Sequence, residues 1–155
     1  MKYTKVIILA LAFLAPQVSI AQTSSRAERA WKPFFASVRT AIKKRDKNAL
    51  MKMMDREFYY LSSGGDENDN QDTRDEAFEY WETSGGSWDA LEKALAAGAV
   101  PNIAMREPGN RRPSRVAPPL ANNRRAISNR SFEWYAVFEF KNNRWYFTAF
   151  TECCE

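Results

Sequence analysis

The chain has 155 residues, with 23 lysines and arginines, 19 aspartates and glutamates, two cysteines and no histidine. Its length suits one domain with its own core, and the missing histidine excludes histidine-based triads, the commonest general base and most zinc sites. Charge excludes less, because residues 26–52 and 94–155 are basic whereas residues 55–93 hold twelve acids against three bases, so the pI of about 9.1 is a poor argument for nucleic acid.

Met1 to Lys5 form a short positive region, and Val6 to Ala15 an unbroken apolar run. Pro16 breaks that run, and Ser19 and Ala21 place small residues at −3 and −1 of a cleavage site before Gln22. This is the three-part layout of a secretory signal peptide. The run is about half the ~20 residues that a spanning helix needs, and no cysteine follows it to carry a lipid. We therefore expect residues 1–21 to be removed and residues 22–155 to form one exported domain, periplasmic or extracellular, without a transmembrane segment.

Trp31, Phe34, Phe35, Val38 and Ile42 recur at three- and four-residue steps and share one helix face, with Arg39, Lys43 and Lys44 opposite. Pro33 fits best in a first turn, which predicts a helix start near Trp31. Asp46 is placed to cap a second short helix that turns Leu50, Met51 and Met54 inward. "EFYYL" (57–61) has strand composition and runs into the break Ser62-Ser63-Gly64-Gly65.

"DENDNQD" (66–72) spaces Asp66, Asn68, Asn70 and Asp72 like a calcium loop. However, Gln71 stands where an EF-hand needs glycine, and Ala77 where it needs glutamate. The stretch reads better as a solvated loop. Thr73 and Glu76 then have capping-box spacing and open a helix carrying Ala77, Phe78, Tyr80 and Trp81. Gly85-Gly86 ends it. Ser87 caps the next helix, whose buried stripe is Trp88, Leu91 and Leu95, and Gly98 stops it.

From about 101 to 130 the periodicity dissolves into a loop with five prolines and seven arginines, where only "SRVA" looks extended. After it, Phe132, Trp134, Ala136, Phe138 and Phe140 alternate with polar residues as a strand does. Asn142-Asn143 make a two-residue turn. This register pairs Phe140 with Trp145, Phe138 with Phe147 and Ala136 with Ala149 on one buried face.

Candidate chemistry is sparse. The sequence shows no catalytic motif, no metal-ligand set and no cofactor fingerprint. Adjacent Cys153 and Cys154 have Cα atoms only ~3.8 Å apart, below the usual ~4.4–6.8 Å of a disulfide. That leaves intermolecular pairing or a loose reactive tail. Thiolate and thioether suit Cu(I), but Met51, Met53 and Met54 read more naturally as core filler. Arg111, Arg112, Arg115, Arg124 and Arg125 are the candidate binding residues, because guanidinium forks match carboxylate and phosphate. The competing reading folds this segment back onto the protein's own acids.

The blocks "FFASVRTAIKKRDKNALMKMM", "RDEAFEYW", "WDALEKALAAG", "RVAPP" and "WYAVFEFKNNRWYFTAF" resemble small secreted bacterial envelope proteins of unassigned function. The resemblance implies an envelope location and carries over no functional residue. The expected fold is α+β: four short N-terminal helices followed by a small antiparallel sheet built on the C-terminal hairpin. It closes either as an SH3-like barrel or around the helices as in NTF2-like folds. The expected function is non-enzymatic binding of an anionic envelope component or an acidic protein face through the arginine loop, with no nucleic acid. The alternative is a small-ligand pocket, enzymatic or not, between helices and sheet.

Overall fold

In the computed structural model the described residues are 16–61, 74–84, 87–104, 109–123, 125 and 134–152. The break at 62–65, the acidic loop 66–72, Thr73, Gly85-Gly86, Phe132, Cys153 and Cys154 lie outside them. No helix among the described residues is long and apolar enough to cross a membrane.

The first helix, α1 (Pro16–Lys43), is longer than expected and carries Pro33 in its interior. The expected start at Trp31 is therefore corrected. An interior proline costs about 3 kcal/mol, but the turns before it bury Ala27 and Trp31 on the same stripe as Val38, Ala41 and Ile42. Burying one large aromatic is worth roughly 1.5–3 kcal/mol, and Trp145 Nε1 adds a 2.8 Å hydrogen bond to the Ala27 carbonyl. The proline ring itself lies on the exposed face.

Helix α2 (Lys47–Met51) is capped as expected, with the Asp46 carboxylate accepting from the Ala49 amide at 2.9 Å. It turns directly into β1 (Met54–Leu61). Met54 is buried, and Met51 and Met53 pack against the core. Helix α3 (Arg74–Ser84) buries Ala77, Phe78 and Trp81, while Tyr80 is 37% exposed. Helix α4 (Ser87–Ala96) buries Trp88, Leu91 and Leu95. Gly98 ends that region at φ +84°, donating its amide to the Leu95 carbonyl.

Five strands form one open sheet in the order β1-β5-β4-β3-β2, where β2 is Val100–Pro101, β3 Ser114–Ala117, β4 Trp134–Lys141 and β5 Arg144–Glu152. A 3-10 turn (Pro119–Asn122) follows β3. Two expectations change here. The sheet is mixed, because β1 pairs with β5 in parallel. The helices do not all precede it, because β1 lies between α2 and α3. The edge strands β1 and β2 do not meet, so among the described residues there is no barrel closure. Instead α1, α3 and α4 pack on the sheet.

The hairpin turns at Asn142-Asn143, whose φ angles of 52° and 64° are the left-handed values that such a turn requires. Phe140 faces Trp145 and Phe138 faces Phe147 as expected, but Ala136 pairs with Phe150 instead of Ala149. The cause is a bulge: between the Phe138–Phe147 and Val137–Ala149 pairs, β5 carries one extra residue, Thr148. Its hydroxyl donates to the Val137 carbonyl at 3.1 Å. The slip turns Phe150 inward beside Phe147.

Phe138 is fully buried, whereas Glu139 stands on the outer face with a 3.3 Å bond from Asn110. Phe138→Ala should lower unfolding free energy by roughly 3–5 kcal/mol. Glu139→Ala should lower it by no more than about 1 kcal/mol. Chemical denaturation of both variants checks this, and equal shifts would contradict the facing assigned to β4.

Candidate anion-binding surface

The sheet separates the arginines of the 101–130 loop. Arg111 and Arg112 precede β3 and both are exposed. An Asn-based turn fixes their direction: the Arg112 amide donates to Asn110 Oδ1 at 3.0 Å. Arg125 is also exposed, just beyond the 3-10 turn, with its amide on Asn123 Oδ1 at 2.9 Å. The side chain of Arg124 lies outside the described residues.

Arg115 goes elsewhere. Within β3 it sits opposite the inward-facing Phe138, and its Nη2 donates to both carboxylate oxygens of Glu28 of α1 at 2.7 and 3.0 Å. Its guanidinium also lies 4.9 Å from the Trp31 ring centroid. For this residue the fold-back reading describes the geometry: Arg115 ties β3 to α1 through Nη2, and its Nη1 donates to the Ala99 carbonyl at 3.4 Å.

Arg112 reaches a groove of about 560 Å³ across the outer sheet face. Period-two alternation puts Glu57 and Tyr59 of β1 and Tyr135, Val137, Glu139 and Lys141 of β4 there. Asp55 and Lys141 form an ion pair in its wall, both side chains largely shielded from solvent. In the floor, Thr151 Oγ1 is buried without a hydrogen-bond partner. The groove is thus polar and carries both signs of charge. It can take hydroxyl or amide donors along Glu57 and Glu139, and an anionic group at the Arg112 end.

The space between helices and sheet is filled instead. Trp31 packs on Phe35, Phe138 and Trp145 with centroids 4.8–5.4 Å apart, and Trp81 meets Tyr60, Phe78, Trp88 and Phe150 at 5.0–5.8 Å. One acid is enclosed near the second cluster. Glu152, at the end of β5, is 8% exposed. Glu152 Oε1, Tyr60 Oη and Trp81 Nε1 are buried without hydrogen-bond partners. Loss of water raises the Glu152 pKa above the ordinary carboxyl value, and the nearby Ser87 and Tyr60 hydroxyls pull it partly back. Burial likewise raises Tyr60.

The sequence pointed to the tail only through Cys153 and Cys154 and assigned Glu152, the last residue of β5, no role. The signal was the inward alternation running on from Phe150, visible only once the Thr148 bulge is known. Among the described residues, no three acids or cysteines lie close enough to hold a metal.

Neither the protein-family models nor the curated proteins compared with this chain match it. Two solved structures are similar. One is an NTF2-like protein of unknown function from Shewanella oneidensis MR-1, with 11% identity, TM-score 0.40 and coverage of 78% of this chain and 93% of that one. The other is an NTF2-like protein with a cystatin-like fold from Novosphingobium aromaticivorans, with 10% identity, TM-score 0.44 and coverage of 88% and 86%.

The raised Glu152 pKa makes stability depend on pH. The folded state holds this proton more tightly than the unfolded chain does, so the group's contribution is complete below the unfolded value of about 4.3. It is lost as pH rises through the folded value. Thermal unfolding midpoints of the native chain should therefore fall relative to Glu152→Gln as pH rises from 4 to neutrality. A pH-independent difference between the two would contradict the raised pKa of the buried Glu152.

Proposed function

We propose that this is an exported, non-enzymatic binding protein whose partner is an acidic component of the cell envelope. The signal-peptide layout of residues 1–21 supports export. The observation that carries the binding reading is the placement of Arg111 and Arg112: both are exposed, and Arg112 stands at the end of an open polar groove. The aromatic layer that fills the space under the helices supports an outer-face site over an interior one. Arginine suits such a partner because its planar fork pairs with carboxylate or phosphate on two points.

A second reading, a small-ligand site between helices and sheet, draws on the unpartnered polar atoms of Tyr60, Trp81 and Glu152. In that reading a bound molecule would accept from Tyr60 and Trp81 and lie against the Glu152 carboxyl.

Binding of residues 22–155 to an acidic polysaccharide should weaken steeply between low and physiological salt, where exposed charges are screened within ~8 Å. Changing Arg111, Arg112, Arg124 and Arg125 together to glutamine should reduce affinity about tenfold or more, with an unchanged thermal midpoint. Binding that ignores salt and these substitutions would move the partner off this surface. Unfolding of the variant would mean that the segment serves the protein's own acids, as Arg115 does.

A further inference from the structure

A second cavity, of about 650 Å³, opens at the hairpin end of the sheet. Lys52 reaches it from the end of α2, Arg56 from β1, Arg74 from the first turn of α3, and Lys141 and Arg144 from either side of the Asn142-Asn143 turn. Among the described residues, five cations thus meet two carboxylates, Asp55 and Glu57. Asp55 is already taken by Lys141. Lys52, Arg56, Arg74 and Arg144 are left facing Glu57, and none of the four forms an ion pair among the described residues.

We propose that this cavity is a separate site for a compact oxyanion of the phosphate or phosphomonoester class. Like charges gathered from three distant stretches of chain repel one another, and a dianion between them replaces that repulsion with attraction. The Arg144 guanidinium lies 4.2 Å from the Tyr146 ring centroid, which fixes its plane and leaves its edge donors to fork onto oxygen. Arg74 is half-buried and, among the described residues, makes a long 3.5 Å contact to the Met51 carbonyl.

Size and charge argue for a short ligand. The cavity joins the outer groove through Asp55, Glu57 and Lys141, which line both. A longer polyanion seated here would extend past Glu57, away from Arg112 at the far end of the groove, so a short ligand fits this cavity better. A phosphomonoester carries about −1.5 to −2 charges at neutral pH, which matches four cations facing one acid better than a single carboxylate does. The site shares no arginine with the 101–130 loop and stands or falls independently of the function proposed above.

The test is titration of the full exported chain with inorganic phosphate at low salt, read by calorimetry. Saturable binding at one site per chain is expected, with sulfate competing and acetate competing poorly. Arg56→Gln and Arg144→Gln, both at exposed positions, should each weaken it about tenfold. Lys52→Gln gives a third variant if either fails to fold. Arg111→Gln/Arg112→Gln should leave phosphate binding unchanged, which separates this site from the loop. Vesicles with phosphatidic acid in phosphatidylcholine distinguish a lipid headgroup from free phosphate: capture lost in Arg56→Gln identifies the headgroup, and phosphate binding without capture identifies a soluble ligand. Absence of phosphate binding at low salt, equal competition by acetate, or indifference to all three substitutions would overturn the proposal.

Discussion

The packing of α1 against the C-terminal hairpin is the contact on which the rest of the structure depends. Trp31 and Trp145 meet edge to face at 4.8 Å, and Trp145 Nε1 bonds the Ala27 carbonyl. A buried indole donor without a partner costs on the order of 1–3 kcal/mol, so this bond fixes where along α1 the hairpin docks. Phe34, Phe35 and Phe138 complete the seam. Arg115 closes it from β3, stacked on Trp31 and bonded through Nη2 to Glu28. This one contact explains how α1 carries Pro33 without ending, why one arginine of the loop is withdrawn from solvent, and why β4 and β5 are central in the sheet.

Because aromatics saturate the helix side, open polar grooves form on the other side and at the hairpin end. Both are lined by side chains that alternate outward from strands whose inward neighbours are core residues. Sheet geometry thus converts charges scattered through the sequence into local clusters. Arg56, Arg74 and Arg144 are far apart along the chain, yet they share one cavity because β1 lies parallel beside β5 and α3 starts above that edge. The two grooves differ in character. One alternates acids and bases over a long floor, and the other concentrates positive charge in a short space.

The enclosed acid at Glu152 has a different logic. It lies at the end of a strand held by pairing with Trp134 and follows Phe150 and Thr151, both buried. Ser87 and Tyr60 bring hydroxyls to the same region, and they offset only part of what burial costs the carboxylate. Buried polar atoms of this kind cost stability, and proteins retain them where something else is gained. Protonation of the carboxyl removes the largest part of that cost.

Local chemistry was legible in the sequence. Asp46 as a cap, Gly98 as a stop, the Asn142-Asn143 turn, the buried stripe of α4 and the facing of Phe138 and Phe147 follow from side-chain period and backbone preference over a few residues. Such signals are complete within one element. The length of α1, the parallel β1–β5 pairing, the Thr148 bulge and the fate of Arg115 were decided by tertiary structure. Each depends on a partner distant in sequence: Trp145 for the turns before Pro33, β5 for β1, Val137 for Thr148 and Glu28 for Arg115. The sequence by itself therefore determined the α+β character, the aromatic core and the caps and turns. Only the folded chain decided which charges meet, because a charge has no period of its own and takes its neighbours from the packing of the apolar residues around it.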